Sequence, residues 1–159
     1  MSKYFNDESV HVVPLLAPVD SAATTVNSDV VSLENYHNVQ FIIPIGTISG
    51  DTIAVTVEEC DDFTPSNSTA IAFSYRLSSA VGTDSIGTRT AATTAGVTIA
   101  ATDDNKVLII DVASDELTDG YPCVRVVLDP GANMSVFLVG AVAIMRPRYP
   151  QAAQISAVT

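Results

Sequence analysis

The chain has no tryptophan, two cysteines, two histidines and only seven basic residues among its 159. Each shortage excludes something. Seven Lys and Arg against 18 Asp and Glu leave a net charge of −11. Such a body repels phosphate backbones and anionic bilayers, so neither nucleic acid nor a membrane is an expected partner. Cys60 and Cys123 are too few for a disulfide framework and read as buried thiols, with a single bridge between them left open. His11 and His37 both lie near the N-terminal end, and no Gly-X-Ser-X-Gly elbow is present, so nucleophilic catalysis lacks its usual parts. Phosphate loops of the Gly-X-X-X-X-Gly-Lys-Ser/Thr type are missing, as is any basic patch interleaved with aromatics. The longest apolar run, residues 136–145, is interrupted by Gly140 and is far too short to span a bilayer. The start, Met1-Ser2-Lys3-Tyr4-Phe5-Asn6-Asp7-Glu8, lacks the apolar stretch of a signal peptide, so synthesis in a cytoplasm is expected.

What is present points to a packed β protein. Hydrophobic residues make up 47% of the chain and charged ones 16%, too apolar for disorder and enough for one full core. Val, Ile and Thr are abundant, and their stiff, branched side chains suit a pleated surface. The acids stop at Asp129, while Arg146 and Arg148 lie near the C-terminus. An acidic body therefore carries a weakly basic tail. The acids serve solubility, and the tail is chemically suited to an acidic neighbour such as a sister subunit.

Period-two alternation marks the strands. Val39, Phe41, Ile43 and Ile45 form one apolar face, and Ile53, Val55 and Val57 another. The link 46–51, with two glycines, reads as a hairpin loop between them. Ile71, Phe73 and Tyr75 predict one further strand. Residues 78–96 are small and polar, which fits a long exposed loop or a weak hairpin. Residues 107–112 are almost wholly apolar, as in a strand covered on both faces. They and residues 123–128 flank a short acidic turn ending in Gly120 and read as paired strands. Pro14 and Pro18 suit an edge strand, and Pro130-Gly131-Ala132-Asn133 is a turn. Residues 115–118 make one helical turn at most. The expected fold class is all-β: an antiparallel β-sandwich of about eight strands with little helix, a jelly roll among its options. A single domain over residues 1–159 is expected, with an extended arm at about 1–9 and a Pro-rich tail at about 146–159.

No catalytic residues, cofactor site or metal site are expected. Asp61-Asp62 and Asp103-Asp104-Asn105 offer oxygen ligands without EF-hand spacing, and paired acids in turns are mostly solvated. Tyr4 and Phe5 in a polar N-terminus, and Tyr149 between Arg148 and Pro150, are aromatics placed to anchor an interface. With Arg146 and Arg148 they are the expected contact residues.

Four stretches carry a resemblance. They are Asn35-Tyr36-His37-Asn38-Val39-Gln40-Phe41, Asp103-Asp104-Asn105-Lys106, Asp119-Gly120-Tyr121-Pro122-Cys123-Val124-Arg125-Val126 and Arg146-Pro147-Arg148-Tyr149. Together they resemble the capsid decoration (cement) proteins of tailed bacteriophages, over most of the chain from about Leu15 to Tyr149. The resemblance implies a non-enzymatic virion protein, assembled in the bacterial cytoplasm and seated on the outer capsid surface. It implies the major capsid protein as partner, and a homo-oligomer, often a trimer at local threefold positions, that staples capsomers after shell expansion. A head–tail connector or tail protein is an alternative within the virion, and a carbohydrate-binding surface module is one outside that class; the absence of Trp weakens the latter.

Overall fold

The computed structural model describes residues 9–22, 24–149, 153 and 155–158. Twelve strand segments run in chain order: β1 (His11–Asp20), β2 (Val26–Asn27), β3 (Val31–Ser32), β4 (Tyr36–Ser49), β5 (Ile53–Cys60), β6 (Ser68–Ile71), β7 (Phe73–Leu77), β8 (Thr90–Ala92), β9 (Val97–Ile99), β10 (Val107–Ala113), β11 (Cys123–Pro130) and β12 (Val136–Pro147). Two antiparallel sheets result. The first has the order β1-β12-β4-β10-β7-β8; the second has β2-β11-β5-β6, with β3 also on β11 and β9 also on β5.

Register reduces these twelve segments to eight strands and one insertion. β2 and β3 lie along the same edge of β11, Val26 opposite Leu128 and Val31 opposite Val124, and form one strand with a bulge between. β6 and β9 lie along the same edge of β5. Ile71 faces Val57 and Val97 faces Val55, so β9 resumes the line that β6 leaves. Between them the chain crosses to the other sheet and forms the β7–β8 hairpin against β10. The return requires Gly96: its φ is +78°, and a Cβ there would lie 2.2 Å from the Val55 carbonyl oxygen. With the hairpin set aside, the first strand pairs with the last, the second with the seventh, the third with the sixth and the fourth with the fifth. This nested pairing is a jelly roll.

The strand faces follow the alternation in the sequence. Val39, Phe41, Ile43, Ile45, Ile53, Val55 and Val57 are all buried. Ile43, Leu108 and Phe137 of the first sheet close on Ile53, Val55 and Leu128 of the second. β1, with Pro14 and Pro18, is an edge strand with two register breaks along β12, where missing N–H donors cost no ladder bond on the open side.

Three local expectations are corrected. β4 and β5 are not a hairpin, and β10 and β11 are not paired; in each case the link passes from one sheet to the other. Periodicity tells which face of a strand is apolar, not which strand lies beside it. Ile71, Phe73 and Tyr75 do not share one strand: the chain changes sheets at Ala72. The segment 78–96 resolves into an exposed loop followed by the short strand β8.

The C-terminal end folds back on the body. Ala157 is fully buried, and its carbonyl accepts a 2.9 Å hydrogen bond from the Ser32 N–H. Tyr36, only 2% exposed, donates its hydroxyl proton to the Ile155 carbonyl and lies 2.6 Å from His11 Nδ1. The tyrosine has one proton and gives it to Ile155, so His11 Nδ1 is the donor of the other bond. One buried tyrosine thus joins the start of β1, the start of β4 and the C-terminal segment.

Candidate functional site

The two outer faces of the sandwich differ in chemistry. On the second sheet the outward rows are Asn27–Val127–Thr56, Arg125–Glu58–Ala70 and Asp129–Ala54–Thr98. They alternate with buried residues, as on a solvated antiparallel face. Arg125 there binds the Glu58 carboxylate through Nε at 2.9 Å and Nη2 at 2.7 Å.

The first sheet has a different exterior. One row runs Pro14–Val142–Ile42–Ile109–Arg76, and the next runs Ile144–Gln40–Asp111–Ser74. Apolar residues cover four adjacent strands and give way to charge only at β10 and β7. Asp111 Oδ1 accepts a 2.7 Å hydrogen bond from Gln40 Nε2, and Oδ2 lies 3.0 Å from Arg89 and 3.6 Å from Arg76. Asp111 Oδ2 and Arg76 Nε are buried without a directed hydrogen bond, so the pairing here is ionic. Beside this cluster a groove of about 350 Å³ is lined by residues including Val10, Gln40, Arg89, Asp111, Glu116 and Arg146. The reading of residues 107–112 as covered on both faces is corrected: the outward residues of β10 are only half-buried in the described chain, because the second sheet covers its inner side alone. The Arg76–Asp111–Arg89 cluster joins residues far apart in sequence and left no local trace.

Three of the five expected contact residues, Arg146, Arg148 and Tyr149, lie together at the end of β12. Arg146 ends the outward row of β12, exposed, and its guanidinium makes no hydrogen bond or ion pair among the described residues. Arg148 is exposed but partly committed: Nε donates to the Glu34 carbonyl at 3.1 Å and Nη2 to Ser114 Oγ at 3.1 Å. Tyr149 is 73% exposed. Tyr4 and Phe5 lie outside the described residues. His11 stands opposite Met145, so β1 begins beside Arg146.

No family model matches the chain, and no curated protein matches it. Similar solved structures come from a virus. They include a chain of the T13 particle of infectious bursal disease virus, with 13% identity over 91% of this chain and 40% of that one, at a TM-score of 0.28. A second is from the VP2 subviral particle of that virus (12%, 89% and 41%, TM-score 0.26), and a third from its Gt strain (11%, 89% and 40%, TM-score 0.24). This chain spans about two fifths of the length of each.

Cys60 and Cys123 stand opposite each other on β5 and β11, both buried. Burial pushes the Cys60 thiol up to about 11 and raises that of Cys123, which leaves little thiolate at neutral pH. Asp61 is held down to about 2 by hydrogen bonds from the Asn67 and Ser66 side chains, at 2.9 and 2.8 Å, with backbone N–H donors from the same loop. It closes the turn after β5. Asp103 accepts from Lys106 Nζ at 2.9 Å and from the Ala100 N–H at 3.1 Å. Among the described residues no group of three or more His, Cys, Asp or Glu is placed to hold a metal ion.

The Tyr36 junction has a pH signature. Burial lowers the His11 pKa below its ordinary 6.5. The unfolded chain therefore binds this proton more readily, so stability is present above pH 6.5 and falls as pH drops below it. Burial also raises the Tyr36 pKa above 10, so the folded hydroxyl resists ionisation and stability falls again at more alkaline pH. Calorimetric melting between pH 2 and 8 is expected to show a decline below about 6.5, and His11→Asn should remove most of that slope while the decline below pH 4, set by Asp51 and Asp61, persists.

Proposed function

We propose that this chain is a non-enzymatic structural protein of a virion, a decoration protein that binds the outside of a phage head and bridges neighbouring copies of the major capsid protein. The jelly-roll pairing carries this reading, as an architecture that viral coats use repeatedly; it is fold-level support. Two features agree with it. The body is strongly acidic, which suits a position outside the shell, away from packaged DNA. Arg146, Arg148 and Tyr149 are exposed at the end of the body where β1 begins. Several such contacts on one oligomer act together through avidity, and binding only the mature shell stabilises that state by linkage.

The test is removal and re-addition. Particles purified from the cells in which this sequence is naturally expressed are stripped under mild denaturant and heated with and without the purified chain. Re-addition is expected to raise the temperature at which the shells break, and Arg146→Glu with Tyr149→Ala is expected to weaken rebinding at least tenfold with the melting of the free protein unchanged. Stripped shells that break at the same temperature with the chain present would contradict the role.

A further inference from the structure

β10 and the middle of β4 have the composition of strands buried on both sides: Leu108 and Ile110 alternate with Ile109, and Phe41 and Ile43 with Ile42. Sheets open to water on one side read instead as apolar alternating with polar, as the second sheet does. In the described chain only the inner side of β10 and β4 is covered. Ile42, Ile109, Val142 and Ile144 are half-buried and Pro14 is exposed.

We infer that this outer face is covered by the same face of a second copy of the chain, sheet against sheet. Three observations select that occupant. The first is charge. A chain of net −11 repels itself wherever acids meet, but within the two outward rows Asp111 is the sole acid and it is matched by Arg76 and Arg89. With two Arg to one Asp, this cluster is weakly basic, so two copies of an acidic chain meet here without setting acid against acid. The second is self-complementarity. A two-fold contact places one patch against itself, and apolar rows on both sides repeat the packing already present between the two sheets, with faces about 10 Å apart. The third is size. The four strands that carry the apolar residues, at about 4.8 Å spacing over roughly 24 Å of length, give a face on the order of 450 Å², or about 900 Å² for the pair, the size of a weak, reversible complex. The packing is two-fold, unlike the threefold arrangement expected from the phage resemblance, and it stands independently of the virion reading.

The experiment is sedimentation equilibrium on the full chain from about 1 to 100 μM. Twice the chain mass is expected, persisting in 1 M NaCl, because the contact is apolar and salt screens the residual repulsion. The double variant Ile42→Thr with Ile144→Thr keeps β-branched residues in place, so the fold is retained by circular dichroism. It is expected to raise the dissociation constant more than tenfold. Arg89→Glu should also weaken association, whereas Thr56→Glu on the opposite face should leave it unchanged. A monomer at 100 μM overturns the inference. So does association indifferent to the face variants, a trimer, or a monomer that dimerises only once residues 1–8 are removed, which would make the chain's own N-terminal segment the cover.

Discussion

Phe41→Ala is expected to remove about 3–5 kcal/mol of folding stability, the range for deleting a buried aromatic side chain. Phe41 is fully buried on β4, the strand that joins β12 to β10. It stands opposite Ala143 on one side and Ile110 on the other. The small residue at 143 leaves room that the ring fills, so truncation leaves a void that two paired strands restrain from collapsing. Domains of this kind hold roughly 5–15 kcal/mol in total, so the variant should sit near the limit of folding at 37 °C. Chemical denaturation measures it: the midpoint should fall sharply with the slope unchanged. Ile42→Ala, one residue along, points to the outer face. Its effect should be smaller and should grow with protein concentration, because mass action couples that face to association. Equal losses at both positions, independent of concentration, would show that the inner and outer faces are misassigned.

The second large effect comes from excising residues 73–96 and joining Ala72 to Val97. Ile71 faces Val57 and Val97 faces Val55, so Ala72 would occupy the place opposite Thr56 and complete one continuous strand along β5. The shortened chain is expected to fold cooperatively as an eight-strand jelly roll. It should be markedly less stable, since buried Phe73 and the β7 pairing with β10 are lost; the Phe73 ring alone accounts for about 3–5 kcal/mol. Far-ultraviolet circular dichroism and a thermal melt decide the matter. A sharp transition at lower temperature supports the insertion view. A chain without a transition would mean that the hairpin is integral to the fold.

The sequence carried the strand faces almost completely, because a half-buried strand writes its orientation into alternate residues. Val39 to Ile45 and Ile53 to Val57 point inward as that alternation requires. Proline placed β1 at an edge, and Pro130-Gly131 ended β11. The neighbours of each strand were not legible. The acidic turn before Cys123 looked like a hairpin because short polar links serve hairpins and sheet-to-sheet crossings equally well. The break at Ala72 was hidden for a related reason: apolar alternation continues through it while the strand changes sheets. For the candidate site, Arg146, Arg148 and Tyr149 are exposed, whereas the latch of Tyr36 on Ile155 and the ionic cluster at Asp111 depend on contacts that only the folded topology creates.

The proposal of a virion role is tested most directly by quantitative mass spectrometry of particles purified from the cells in which this sequence is naturally expressed. The chain is predicted to be present in hundreds of copies per particle and to leave with mild stripping; a few to a dozen copies would place it at a head–tail junction instead. Its absence from intact particles, with the protein recovered only in the soluble fraction of the lysate, would contradict the proposed role.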